Sequence, residues 1–317
     1  MAEQKKNKNI IIHLLFFFII AFYFLLLSGC SMTKISNNVE INDSCKDFDL
    51  SSYNLYQLEA ELVPQPKFRD YLKENFIRKK DAKPFNYNIY HGIMVEKEKN
   101  EGEDIERESL EWNEELTCIN YIDTFNVDYE KLPENVSMPT KNEIIKQGKN
   151  LLKEFSFNID TNFELFLYDD KYYSHMPALY FVQNPEGFPI STRQHVDGIT
   201  TTAGLVIIGF YGNELKSVDC IRLLKVVKKE PFSTAQAIPQ NIERISTMVL
   251  NFLRKLGDSA NFKIEDISIV YDITEVDNTK YTLTPMIEVK TIHKKEEDRV
   301  IYHYHQIDLN TGTIDIW

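Results

Sequence analysis

The chain has 317 residues and a formal net charge of −12, with 48 acidic and 36 basic side chains. This acidic balance argues against a nucleic-acid-binding protein, because phosphate contacts need a basic surface. The length is sufficient for two domains of ordinary size with a substantial core.

The first 29 residues have the pattern of a secretory signal. Lys5, Lys6 and Lys8 precede an apolar run over residues 10–27, which matches the charged and apolar regions of such a signal. The run is also long enough to span a bilayer marginally, so a retained transmembrane helix is the alternative. Either interpretation predicts a cytoplasmic N-terminus and an extracytoplasmic body, because lysines favour the cytoplasmic side.

The apolar run ends in Leu27-Ser28-Gly29-Cys30, which resembles the lipobox of bacterial lipoproteins. The resemblance implies cleavage between Gly29 and Cys30, acylation of Cys30 with palmitate-like chains, and anchoring to the outer side of the cell membrane. Two or more acyl chains anchor a protein stably. Cleavage would leave residues 30–317 with a net charge of −14, and residues 30–47 would form a polar tether.

The region 48–130 has a strand-rich composition, but the sequence does not predict its fold. We expect a short helix over 67–79 and strands over 85–95 and 116–127. The acidic run 96–108 is typical of a loop.

Residues 139–230 and 231–317 show the same order of predicted elements, which is one helix followed by an antiparallel meander. Thr140 and Glu143 have the spacing of a capping box at the start of the first helix. The second helix is predicted over about 233–256, with Pro239 in its first turns and Gly257 at its end. The strands of the two meanders are predicted at 163–173, 178–183, 204–211 and 215–227, and at 267–273, 281–292, 299–309 and 313–317.

The second of these units resembles PepSY-type domains and, more narrowly, the extracytoplasmic part of YycH/YycI-type proteins. The stretches that carry the resemblance are 232–237, 267–271, 283–289 and 307–314, together with 180–183 and 187–190 in the first unit. The resemblance implies an α+β fold of two helix-on-antiparallel-sheet (PepSY-like) units outside a bacterial membrane. It also implies a role in restraining proteases or modulating membrane partners such as sensor kinases.

These features lead to the hypothesis of a non-enzymatic, cofactor-free surface lipoprotein that binds and modulates a protein partner, either a sensor kinase or a protease. A cell-wall glycan or small ligand bound in an aromatic groove between the two units is the alternative. An enzyme is the third hypothesis, and its signature would be a deep pocket lined by a carboxylate or histidine with a shifted pKa.

His303 and His305 lie two residues apart on a predicted strand, so they share one face. They are candidate metal ligands, with His293 on the neighbouring strand as a third. The alternative is an exposed polar face that alternates with buried tyrosines. Asp308 is expected to accept hydrogen bonds from the amides of the turn before Gly312, which would take a positive φ.

Cys45, Cys118 and Cys220 form no CxxC pair, which excludes a zinc ribbon and a thioredoxin motif. A Cys45–Cys118 disulfide is compatible with an oxidising exterior. Buried free thiols are the alternative.

Overall fold

The computed structural model describes residues 39–77, 82–87, 89–97, 106–125, 127, 139–159, 162–173, 176–191, 193–195, 198–200, 203–234, 238, 240–255, 262–294 and 300–316. The signal segment, the cleavage position at Gly29 and Cys30, and Gly257 lie outside these ranges. Within them, no helix is both long and apolar enough to cross a bilayer. The lipid anchor and the cellular location therefore stay predictions.

The described residues form three α-helices and seventeen strands. The helices are α1 (Pro66–Asn75), α2 (Lys141–Glu154) and α3 (Ile242–Lys255). The strands are β1 (Glu40–Ile41), β2 (Tyr56–Leu62), β3 (Lys83–Tyr87), β4 (Tyr90–Lys97), β5 (Glu106–Asn113), β6 (Cys118–Asp123), β7 (Asn162–Tyr173), β8 (Met176–Asn184), β9 (Arg193–His195), β10 (Gly198–Thr200), β11 (Leu205–Tyr211), β12 (Glu214–Ile221), β13 (Leu224–Pro231), β14 (Phe262–Asp277), β15 (Lys280–Lys294), β16 (Val300–Asp308) and β17 (Ile314–Ile316). The expectation of a mixed, strand-rich α+β fold is thereby confirmed.

The eight-stranded sheet has the order β3-β4-β5-β6-β12-β11-β8-β7, and all of its neighbouring strands are antiparallel. Helices α1 and α2 cover one face of it. Phe68 of α1 and Ile144 of α2 are fully buried there against Phe181 and Val206 of the sheet. Burial of such side chains contributes about 1.5–3 kcal/mol each, which makes this face a main core of the protein.

The seven-stranded sheet has the order β1-β14-β15-β16-β17, and β2 pairs with both β15 and β13. All pairs are antiparallel except β1 with β14. Helix α3 covers one face, where Ile245 and Val249 are buried against Ile287 and Val289. In both sheets the strands that follow the helix form an antiparallel meander, which is the element order predicted from the sequence.

Helix α2 begins as its sequence predicts, whereas α3 begins later than predicted. Glu143 Oε2 accepts from Thr140 N–H at 2.8 Å, and Thr140 Oγ1 accepts from Glu143 N–H at 3.4 Å, so the capping box is confirmed. The predicted start of α3 near residue 233 is wrong. Proline lacks the N–H that a helix interior needs, and α3 begins after Pro239, where Asn241 Oδ1 accepts from Arg244 N–H at 3.2 Å.

Two predicted strands are in fact pairs of strands. The stretch 85–95 belongs to the hairpin of β3 and β4. The stretch 215–227 divides at Arg222 into β12 and β13, which belong to different sheets. Arg222 has a φ of +46°. A positive φ is uncommon for a residue other than glycine, so the strand-like sequence around Arg222 does not predict this break. The region 48–130 supplies β2 to the seven-stranded sheet and β3 to β6 to the eight-stranded sheet.

Candidate functional site

A cleft of about 460 Å³ lies between the two sheets. Its lining comes from β7 and β8 of the eight-stranded sheet, from β14, β15 and β16 of the seven-stranded sheet, and from residues 187–191. Tyr53 and Phe188 contribute aromatic rings whose centres lie 5.9 Å apart. The volume falls in the range of about 300–1,000 Å³ that is typical of ligand sites. The cleft is therefore the candidate functional site.

Buried hydrogen bonds hold residues 187–191 in place beside the cleft. Ile190 N–H donates to Gln183 C=O at 2.9 Å. The carboxamide of Gln183 accepts from Leu224 N–H and donates to Leu224 C=O, both at 2.8 Å, and Gln183 is fully buried. Since Leu224 begins the strand that crosses to the other sheet, Gln183 links the two sheets at the end of the cleft.

The outer edge of β14 has backbone partners near both ends of the cleft. β1 pairs in parallel with Lys263 and Ile264, and Ile190 forms a parallel bridge with Tyr271. β15 pairs along the opposite edge of β14. Among the described segments, none pairs as a strand with residues 265–270 on the outer edge. We call these six residues the open edge.

The backbone of the open edge points into the cleft. Tyr271 N–H donates to Pro189 C=O at 2.9 Å, and Tyr271 C=O accepts from Ser191 N–H at 2.8 Å. Because every second residue of a strand directs its backbone groups to the same side, Ile267 and Ile269 also direct theirs outward. Ile269 lines the cleft although its side chain is buried in the core beneath α3. The part of Ile269 that faces the cleft is therefore its backbone.

The first residue of the open edge already has hydrogen-bond partners. Glu265 C=O accepts from Asn42 Nδ2 at 3.1 Å and from Cys45 Sγ at 3.6 Å. Burial raises the pKa of the Cys45 thiol, which favours the protonated donor. The Cys45 thiol also accepts a hydrogen bond from Ile267 N–H. Among the described contacts, the backbone groups that remain for a bound molecule beyond Glu265 are therefore Ile267 C=O and the N–H and C=O of Ile269.

A buried polar cluster forms the floor of the cleft. Glu288 Oε2 accepts from Ser191 Oγ at 3.2 Å and from Gln306 Nε2 at 3.1 Å, and Gln306 Nε2 also donates to Ser191 Oγ at 2.5 Å. Ser191 and Gln306 are 7% and 2% exposed. Burial raises the pKa of Glu288, and these two hydrogen bonds oppose the rise. The cluster holds the carboxyl group of Glu288 in a fixed orientation.

The charges that line the cleft are mainly negative. Glu164, Asp266 and Glu288 supply three carboxyl groups, and Lys290 supplies one ammonium group. The Lys290 ammonium lies 4.5 Å from the ring centre of Tyr302, in cation–π geometry. The negative charge of Asp266 adds to the rise in the pKa of Glu288, and the positive charge of Lys290 opposes it. The cleft is therefore suited to a cationic group.

The predicted histidine pair lies outside the cleft, on the sheet face that α3 covers. His305 is fully buried, with Nε2 2.9 Å from Thr291 Oγ1 and its ring centre 6.5 Å from that of His303. Tyr302 is 50% exposed, so the alternative of exposed histidines between buried tyrosines is wrong. The described residues contain no group of three potential ligands that could hold a metal. The side chain of His293, the predicted third ligand, lies outside the described part of the structure.

The predicted turn lies outside the cleft, and of the three cysteines only Cys45 contacts the open edge. Asp308 Oδ1 accepts from Asn310 N–H at 2.6 Å and Gly312 has a φ of +71°, so the predicted turn is confirmed. Cys45, Cys118 and Cys220 are free thiols. Cys45 belongs to the core of the seven-stranded sheet and Cys118 to β6 of the eight-stranded sheet, and no disulfide joins them.

Sequence reasoning did not identify Ser191, Glu288 or Gln306. The one available signal is the alternation in β15, where Glu288 and Lys290 alternate with buried Ile287, Val289 and Thr291. That pattern indicates a half-buried strand with a polar face. It does not indicate that a second sheet faces the polar side.

No protein-family model and no curated protein sequence matches the chain. Among solved structures, an uncharacterized protein from Eubacterium rectale ATCC 33656 has a TM-score of 0.54 at 14% identity, over 87% of this chain and 89% of that one. The C-terminal domain of Bacillus megaterium YpeB has a TM-score of 0.41 at 10% identity, over 80% and 98% of the two chains. The first similarity shows a shared overall fold, and the second is too distant to support an argument.

Proposed function

We propose that this chain is a lipid-anchored extracytoplasmic protein, without enzymatic activity, that binds and modulates a protein partner through the cleft between its sheets. The observation that carries the proposal is the open edge of β14. An unpaired strand edge beside a cavity binds an extended segment of another chain by adding it as a further strand. The class of partner, a sensor kinase or a protease, is what the PepSY-type resemblance suggests.

The proposed anchor restricts where the partner can be. The predicted tether of residues 30–47 is too long, because Val39 packs against the core of the seven-stranded sheet, Glu40–Ile41 form β1 and Cys45 is buried. Residues 30–38 separate the proposed lipid at Cys30 from Val39. A fully extended chain of this length spans at most about 32 Å. The body would thus stay tethered near the outer surface of the bilayer, within reach of membrane or cell-wall proteins.

Site-specific photo-crosslinking in intact cells tests this function. Ser268 lines the cleft, and Thr274 lies on the same face of β14 but is exposed beyond it. A crosslinker with a slim alkyl-diazirine side chain, which is much smaller than an indole, is expected at position 268 to form a covalent adduct with a membrane or cell-wall protein, and the same crosslinker at position 274 is not. Equal labelling from both positions, or adducts with neither, would contradict the proposal.

A cell-wall glycan or small ligand is the second candidate function. The observation that favours it is the combination of Tyr53, Phe188 and Tyr304 with carboxyl groups around one cavity, because sugars stack on aromatic rings and donate hydrogen bonds to carboxylates. Sedimentation of the protein with purified cell walls, lost when Tyr53 is replaced by Ala, would favour this candidate over the first.

A carboxyl group with a shifted pKa in a pocket, such as Glu288, is also the signature expected of an enzyme. The two hydrogen-bond partners of Glu288 in the described residues are the hydroxyl of Ser191 and the carboxamide of Gln306, and neither group exchanges protons near neutral pH. The arrangement therefore orients a carboxyl group for binding. A pH-dependent hydrolysis of wall fragments that the Glu288→Gln variant loses would support an enzyme instead.

A further inference from the structure

Three neighbouring strands place one row of side chains on the floor of the cleft. Ser268 of β14 pairs with Glu288 of β15, and Glu288 pairs with Gln306 of β16. Paired residues share a face of the sheet, so the three side chains form a continuous row. The outer end of this row is Ser268, which belongs to the open edge.

An added strand would extend this row by one residue. The parallel strand β1 and the bridging residue Ile190 already occupy the same edge on either side of the gap. An extended segment between them would place one residue opposite Ser268. Because neighbouring strands are about 4.8 Å apart, the Cα atom of that residue would lie about 10 Å from that of Glu288. Ser268 is small, and a long side chain can pass over it.

The charge of the row determines which long side chain fits. The hydrogen bonds from Ser191 and Gln306 both end on Oε2 of Glu288, so neither of them occupies Oε1. Asp266, two residues before Ser268, lies on the same face and adds a second carboxylate. Lys290 lies opposite Asp266 on β15, and its ammonium group is placed over the rings of Tyr302 and Tyr304. A lysine or arginine on the added strand satisfies both the length and the charge.

We propose that the cleft binds an extended peptide segment that adds to the open edge and carries a lysine or arginine opposite Ser268, with its cationic head against Glu288. The inference rests on the proposed function and names the chemistry of the bound segment. Charge-assisted hydrogen bonds to a carboxylate that is already oriented are the strongest contacts such a site can make. The main-chain pairing would give affinity, and Glu288 would give selectivity.

Fluorescence anisotropy with three labelled heptapeptides tests the inference on the full-length chain in detergent micelles. The peptides alternate threonine and valine and carry lysine, norleucine or glutamate at the centre. The lysine peptide is expected to bind about tenfold more tightly than the norleucine peptide, and the glutamate peptide to bind least. The Glu288→Gln variant is expected to lose the preference for lysine, and the matched Glu61→Gln variant, on β2 of the same sheet, to keep it.

Two further variants keep the test decisive if Glu288→Gln proves unstable. Asp266 is exposed, and Asp266→Asn is expected to weaken the lysine peptide about two- to threefold. Ser268→Trp is expected to abolish binding of all three peptides, and Thr274→Trp to leave it unchanged.

The outcomes separate the inference from the proposed function. Equal binding of the lysine and norleucine peptides, still blocked by Ser268→Trp, would overturn the inference and leave the proposed function standing. No binding of any peptide would overturn the inference, and the crosslinking at position 268 in cells would then decide the function on its own.

Discussion

Ser191 and Glu288 are 97 positions apart in the sequence, and a hydrogen bond of 3.2 Å joins Ser191 Oγ to Glu288 Oε2. Ser191 follows the strand β8 of one sheet, and Glu288 lies on β15 of the other. The bond therefore connects the two sheets at the floor of the cleft. It also fixes the carboxyl group on which the proposed selectivity depends.

The pH dependence of stability tests the environment of Glu288. Burial raises the pKa of Glu288 above its ordinary value of 4.5, so ionisation costs more in the folded than in the unfolded state. Its contribution to the free energy of unfolding is therefore largest below pH 4.5 and falls as the pH rises through the raised pKa. Urea unfolding over a pH series is expected to show the Glu288→Gln variant gaining stability relative to the wild type as the pH rises. A difference that stays constant across the series would contradict this.

Two glycines beside the cleft make a matched pair of backbone tests. Gly204 and Gly187 have φ values of +80° and +88°, so alanine at either position costs about 1–2 kcal/mol of backbone strain. A Cβ at Gly204 would lie 2.7 Å from Ile190 Cδ1, whereas a Cβ at Gly187 would meet nothing within 4 Å. Chemical denaturation is expected to show a further loss of about 1–3 kcal/mol in Gly204→Ala alone. Equal losses of unfolding free energy in both variants would contradict this, because they would show that the side chain of Ile190 moves aside at no cost.

Removing the lysine of a buried ion pair is expected to lower the free energy of unfolding far more than removing the lysine of an exposed one. Lys216 is 2% exposed, and its Nζ donates to Asp123 Oδ2 and to Phe125 C=O, both at 3.0 Å. Lys216→Met leaves the carboxylate of Asp123 buried without this partner, which is expected to cost about 3–5 kcal/mol of unfolding free energy. Lys228 bonds Glu59 at 2.7 Å but is half exposed, and Lys228→Met is expected to change stability little. Thermal unfolding of both variants measures the contrast.

The anchor prediction depends on one thiol. Cys30→Ala is expected to abolish metabolic labelling with a fatty-acid analogue and to release a mature body from the membrane fraction or leave an unprocessed precursor. Cys45→Ala is the matched control, since Cys45 is a buried free thiol in the body, and its labelling should be unchanged. Normal labelling of the Cys30→Ala variant would rule out the lipobox interpretation.

Local sequence patterns determined most of the elements and little of their assembly. The capping box at Thr140, the turn at Asp308 and the apolar runs of β8, β11 and β14 depend on contacts between residues close in sequence, and each was predicted. Arg222 was not predicted as a turn, because neither its type nor its neighbours indicate a positive φ. The late start of α3 followed from Pro239, whose cost in a helix interior the prediction underestimated.

By itself, the sequence determined the acidic charge, the signal-like first segment with its Cys30, the α+β class and the helix-then-meander order of each half. Only the tertiary structure decided that the chain crosses between sheets at Arg222, that Glu288 meets Ser191 and Gln306, and that residues 265–270 of β14 lie open beside a cleft. The physical reason is the range of the interactions. Periodicity and capping act over a few residues, whereas the cleft depends on side chains about a hundred positions apart, which only the packing of two sheets brings together.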